Sequence, residues 1–206
     1  GGKDVLYDFL KREDINWRGV SMGVARAVYQ NRKLKHKGEI AFVVDDSIKQ
    51  RRGKKVEGTS THFDHTEGRC VTGQQVVQLG LAWGGGFIPV DSQIYIGAKN
   101  VHPLNRDFVD GRSAVAKDYD AALNMDKHEL LKSMLKRTIR AGIEAKYLLG
   151  DSWYGCRRNI RLVLSCGLIG IFRMKRSNLK YRLNGREYTL TGLYYLIKRR
   201  LEKNRD

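Results

Sequence analysis

Two short apolar runs, each closing on an acid, constrain this chain more than any other feature. "EIAFVVDDS" at 39–47 ends in Asp45 and Asp46, and "AKYLLGDS" at 145–152 ends in Asp151. Apolar runs of this length bounded by polar residues read as buried strands. A carboxylate at the end of such a strand loses solvation, and adjacent carboxylates also repel. The pair at 45–46 therefore needs a cation, a hydrogen-bond network or open solvent.

The segments around these runs supply an order. Residues 4–34 place apolar and aromatic side chains at helical spacings and predict two short helices. Residues 47–70 are polar and basic with no helical stripe. "VTGQQVVQLGLAWGGGFIPVDSQIYIG" reads as two strands around Gly84-Gly85-Gly86, an antiparallel hairpin. "DKHELLKSMLKRTIRA" predicts an amphipathic helix over 126–141, capped by Asp126 and stopped by Gly142. After the Asp151 strand come a helix over 154–166 and a strand in "LIGIFRMK".

Strand with acid, strand, strand, helix, strand with acid, helix, strand is the order of an α/β ribonuclease H-like mixed sheet flanked by helices. Its first and fourth strands lie side by side, and the helical connection before the fourth suits a parallel, right-handed crossover. Both acids then emerge at one carboxyl edge, where α/β sheets place their sites. Two hard oxygen anions converging there suit Mg²⁺. A pair of such ions can clamp the attacking and leaving oxygens of a phosphodiester.

Charge names the partner class. The 206 residues carry 39 Lys and Arg against 22 Asp and Glu, a net +17. The excess lies at the two ends, +6 over 1–60 and +8 over 171–206, against +3 between. A bias of this size points to a polyanion, because each neutralised phosphate releases condensed counterions. Nucleic acid is the leading partner. No apolar stretch approaches a membrane span and residues 1–30 lack a signal peptide's apolar block, so the expected location is cytoplasmic, associated with the nucleoid. Cys70, Cys156 and Cys166 offer no close pair and read as reduced, buried thiols.

"VVDDS", the following "QRRGKKVEGTSTHFDHTEGRCVTGQQVVQLGL", and "YLLGDSWYG" with "IFRMKRSNLKYR" resemble insertion-sequence transposases of the acidic-triad (DDE) superfamily, of the insertion sequence four type. The likeness runs from "LYDFLKREDINWR" to the final basic segment. It implies that Asp46 and Asp151 are catalytic and bind the metal, Mg²⁺ with Mn²⁺ as a substitute, and assigns no role to their neighbour Asp45. It further implies a cut-and-paste DNA transposase, cleaving and joining strands as a homodimer in a synaptic complex with terminal inverted repeats and target DNA. In that family the third acid is a Glu on a late helix, within a Tyr, Arg, Glu, Lys pattern. Tyr195, Lys198 and Glu202 match three offsets, with Lys in place of Arg, so the third acid is expected beyond residue 206 and the chain reads as partial. The expected organisation is a helical basic segment (1–38), a ribonuclease H-like core (39–176), and the start of a β-rich insertion with a basic tail (177–206). That last part opens with the hairpin "KYRLNGREYTL", turning at Asn184-Gly185 in a type I′ turn.

Other features have plainer readings. His62, Asp64 and His65 in "HFDH" lack a further ligand at fitting spacing and read as a hydrogen-bonding or phosphate-contacting loop. Trp153 and Tyr154 read as packing beneath the helix, with stacking on an extruded base as the alternative. "IKRRLEKNR" fits either a solvated helix face or a DNA-backbone contact. Two other classes compete. A non-catalytic basic nucleic-acid-binding module explains the charge but not two strand-end acids. A receiver-like phosphoacceptor domain, with Asp91 as the phosphorylated acid, needs an amphipathic helix after the first strand, where the sequence has "RRGKK" and "EGTST".

Overall fold

The computed structural model describes residues 3–36, 38–52, 56–64, 67–96, 107–174 and 177–203. They form two compact units, Gly1–Phe172 and Arg173–Asp206.

The first unit is built on β1 (Ile40–Gln50). Side chains alternate across a strand, so Phe42, Val44 and Asp46 share one face while Val43 and Asp45 take the other. β3 (Arg69–Trp83) pairs antiparallel along the whole of β1, setting Leu81, Leu79 and Val77 opposite Phe42, Val44 and Asp46. Gly73 is required in this pairing: a Cβ there would come within 2.6 Å of the Lys49 carbonyl oxygen. The outer edge of β3 is shared. β2 (Ser60–Asp64) takes its first part and β4 (Gly86–Tyr95) its second. On the other side of β1 lie β5 (Tyr147–Gly150) and then β6 (Ile169–Phe172), both parallel. The path β4-β3-β1-β5-β6, with β2 as an extra short strand, is the expected ribonuclease H-like mixed sheet.

Helices cover the Phe42 face. α1 (Lys3–Leu10) and α2 (Trp17–Asn31) match the two helices read at the N-terminus. α3 (Ala114–Asn124) is one that the sequence reading missed. α4 (Lys127–Arg140) begins at the predicted cap: the Asp126 carboxylate accepts from the Glu129 N–H, and the Glu129 carboxylate accepts from the Asp126 N–H. Its buried stripe, Leu130, Leu131, Met134 and Leu135, joins Phe42, Val44, Leu79, Leu81 and Leu148 in one core, to which α2 adds Ala25 and Tyr29. α5 (Arg157–Ser165) contributes Val163.

Three local expectations need correction. The "HFDH" segment is not a loop over its described residues, since His62, Phe63 and Asp64 belong to β2. The helix expected from 154 starts at Arg157, because Asp151 folds 152–154 into a turn. The free cysteines are not buried: Cys70 is exposed and the other two are half-buried.

The second unit holds the hairpin β7 (Tyr181–Leu183) and β8 (Arg186–Tyr188), followed by α6 (Leu190–Lys203). Asn184 and Gly185 both have positive φ, 50° and 79°, as a type I′ turn demands. Among the described residues, no helix is long and apolar enough to cross a membrane.

Candidate active site

Asp46 and Asp151 reach the same sheet edge by different routes. β1 and β5 run parallel with Val44 beside Gly150, so Asp151 leaves β5 one residue later while Asp46 still rides on β1. Asp46 continues the buried face of Phe42 and Val44. Asp45 faces the opposite way, is exposed, and accepts the Asp46 N–H at 2.8 Å. The neighbouring acids therefore do not share a site: the pleat sends them to opposite sides of the sheet.

Asp46 is surrounded by donors. Its Oδ1 accepts the Tyr154 hydroxyl at 3.1 Å. Its Oδ2 accepts the Lys127 ammonium at 2.9 Å and the Gln75 side-chain amide. Tyr154 is fully buried, and burial first, then the Asp46 charge, push its phenol far above the usual range, so it remains a proton donor. Asp151 is exposed at its carboxylate, whose Oδ1 accepts the N–H groups of Trp153 at 2.9 Å and Tyr154 at 3.3 Å. One tyrosine thus ties the two acids together, its main chain bound to Asp151 and its hydroxyl to Asp46.

A second layer holds that tyrosine. Asn159, buried on α5, donates to the Tyr154 carbonyl at 2.9 Å, and its own side-chain oxygen lies 3.0 Å from His128 Nδ1. The oxygen can only accept, so His128 carries its proton on Nδ1. The His128 ring stacks on Trp153 at 4.6 Å and 14°. Tyr154 is buried as expected; Trp153 is not, being 36% exposed, because the turn at Asp151 brings it out against His128 of α4. Lys127 lies against the Trp153 ring (4.9 Å) and the Tyr95 ring (5.5 Å). Beside this wall opens a cavity of about 830 Å³ lined by His62, Gln75, Tyr95, Lys127, His128 and Trp153, among others.

The remaining candidates go elsewhere. His62 lies on β2, not in a loop; its Nε2 is 2.8 Å from Ser60 Oγ, which donates to the Ile96 carbonyl. Ser60 has spent its one proton, so His62 donates through Nε2. Burial and the nearby Lys127 charge lower its basicity and keep it neutral. His65 lies outside the described residues. Glu202, on α6 of the second unit, pairs with Lys198 at 3.8 Å. Asp91, the acid of the receiver-like alternative, is fully buried on β4, with Arg137 at 2.9 Å and Arg18 at 3.2 Å, and no phosphodonor could reach it. Among the described residues, no group of three or more His, Cys, Asp or Glu converges as a metal cluster.

Asp46 and Asp151 are hard oxygen donors of the type that Mg²⁺ takes one or two of. Asp46 Oδ2 already accepts the Lys127 ammonium, so a positive charge rests on this carboxylate. Lys127, Gln75 and Asn159 escaped the sequence reading. A signal existed for Lys127: it is the first residue of α4, where the helix dipole favours acids over cations.

The sequence profile of the DDE superfamily endonucleases matches residues 1–187. This chain belongs to the DDE superfamily of endonucleases. Members of the superfamily generally use divalent metal ions. No curated protein matches the chain. Among solved structures, a chain of the Drosophila P element transposase strand transfer complex is similar at 11% identity and a TM-score of 0.34. The alignment covers 96% of this chain but only 42% of that one. A likeness that slight carries no argument of its own. Within the DDE endonuclease, the turn after β5 gives Asp151 its place and Tyr154 its anchor.

Proposed function

We propose that this DDE endonuclease is a DNA transposase of the insertion sequence four type, cleaving phosphodiesters at element ends and joining them to target DNA. The carrying observation is the pair of strand-end acids, Asp46 and Asp151, bound to the two ends of Tyr154. In this reading both acids hold the divalent metal, Mg²⁺ or Mn²⁺ in its place. Such a metal, when bound, stabilises charge on the reacting phosphate oxygens and lowers the pKa of an attacking water. The chain's own part is to hold Asp46 by the Tyr154 hydroxyl and the Gln75 amide, and to aim Asp151 through two backbone N–H groups. The dominance of Lys and Arg at 1–60 and 171–206 supports binding of duplex DNA along the phosphate backbone. Residues 39–176 serve as the catalytic core in this reading, 1–38 and 177–206 as flanking parts, and the active species is a homodimer spanning two DNA ends. The third acid of the triad is left unassigned, Glu202 being paired on α6.

The test is a nicking assay on plasmid DNA with Mg²⁺ or Mn²⁺, since it needs no knowledge of the element's ends. Asp46→Ala and Asp151→Ala should each lower metal-dependent nicking by at least about 100-fold, the scale of losing one strong stabiliser of transition-state charge. Asp45→Ala, on the opposite sheet face, should retain most activity. Nicking indifferent to both of the first two substitutions would sink the mechanism.

A further inference from the structure

The Lys127 side chain is held in a way that neither helix formation nor solvent exposure explains. It is the first residue of α4, where the unpaired N–H groups of the helix repel a cation. Its side chain is nevertheless only 13% exposed, turned inward onto Asp46 Oδ2 at 2.9 Å. Two aromatic faces, Trp153 and Tyr95, flank the ammonium. Asp46 itself is 17% exposed, so the two charges neutralise each other in a partly dry place. Gln75 and Tyr154 supply only neutral donors, which leaves Lys127 as the only cation that hydrogen-bonds Asp46 among the described residues.

We propose that Lys127 is the resident counter-cation of Asp46, and that a divalent ion binds this carboxylate only by displacing it. The inference rests on the metal reading of Asp46 given above. The carboxylate cannot hold an ammonium and a divalent ion at full strength even on separate oxygens, because the two cations would lie within a few ångströms in a medium that screens poorly, and its Oδ1 already accepts the Tyr154 hydroxyl. The displaced ammonium has somewhere to go: it remains against the Trp153 and Tyr95 rings, at the wall of the 830 Å³ cavity. There it can meet a phosphate of the substrate. Lys127 therefore exchanges a carboxylate for a phosphate, and the site discriminates against metal until a polyanion is present.

The experiment measures binding of Mn²⁺ alone to the full chain, by the electron paramagnetic resonance of free Mn²⁺, in the absence and presence of duplex DNA. Lys127→Met keeps the apolar stem without the charge, Lys127→Arg keeps the charge, and Asp46→Asn removes the ligand. Without DNA, Lys127→Met should bind Mn²⁺ about tenfold more tightly than wild type, the effect of removing a close like charge. Lys127→Arg should bind no more tightly than wild type. DNA should tighten Mn²⁺ binding in wild type and do so less in Lys127→Met. Thermal denaturation supplies a second readout: Lys127→Met leaves Asp46 uncompensated, so Mn²⁺ should raise its Tm by more than it raises that of wild type. Equal or weaker binding by Lys127→Met, with Asp46→Asn still abolishing it, would overturn the role of Lys127 alone. Binding unaffected by Asp46→Asn, or none in any form, would overturn the metal reading and this inference with it.

Discussion

Tyr154 is the residue on which the candidate site turns. Its ring is in the core, its hydroxyl serves Asp46, and its backbone serves Asp151. Replacing it with Phe keeps the packing and removes one hydrogen bond to a charged group. Such bonds contribute about 1.5–3 kcal/mol, so Tyr154→Phe should destabilise the fold by that amount in a urea titration, with unchanged m. A loss under about 0.5 kcal/mol, the usual scatter of neutral surface changes, would show that the hydroxyl does not hold Asp46. Residue identity alone could not announce this role. A Tyr after Asp-Ser-Trp fits packing equally well, and its partner is 108 positions away.

At the scale of the element, α4 links core, cap and site. Asp126 caps it, receives Arg158 at 2.6 Å, and precedes Lys127 directly. Burial pushes the Asp126 carboxyl up, but the Glu129 N–H, Arg158 and the His128 charge together outweigh it, and the group ends below its usual range. A carboxyl lowered by folding adds stability that is complete above its unfolded pKa and vanishes as pH falls through its folded pKa. Asp126→Ala should therefore cost about 0.5–2 kcal/mol near neutral pH. That difference should close in thermal melts taken below the carboxylate range; a gap that persists there would mean the effect is not the cap. This helix was legible because its signals are local: an acid, a Glu three residues on, an apolar stripe at 3.6-residue spacing and a closing Gly142. β2 was not, because Ser60–Asp64 carries no apolar alternation strong enough to declare a strand. It forms because β3 offers an edge.

For the whole molecule the leading quantity is charge. A net +17 should make duplex DNA binding fall steeply with salt, each phosphate contact contributing about 0.9 to the slope of log K against log[salt]. With 6–10 contacts the loss between 50 and 200 mM salt is about 10³–10⁵-fold, measurable by fluorescence anisotropy. Asp46→Ala should leave this docking largely intact, since it removes an acid and not a phosphate contact. Salt-insensitive binding would argue against the DNA reading.

The sequence by itself determined what depends on neighbours along the chain: the strand runs that end in Asp46 and Asp151, the cap and stripe of α4, the Asn184-Gly185 turn, and the order of elements from which the mixed sheet follows. Each is set by backbone sterics or by hydrogen bonds that close within a few residues. Tertiary structure decided which of two adjacent acids faces the site, because the sheet buries only one side of β1. It also decided that Lys127, Gln75 and Tyr154, which are 81, 29 and 108 positions from Asp46, meet on its carboxylate. Their convergence follows from the pairing of β3 with β1 and the packing of α4 and the β5 turn against it, and no spacing rule along the chain encodes a contact that exists only once three separate elements have docked.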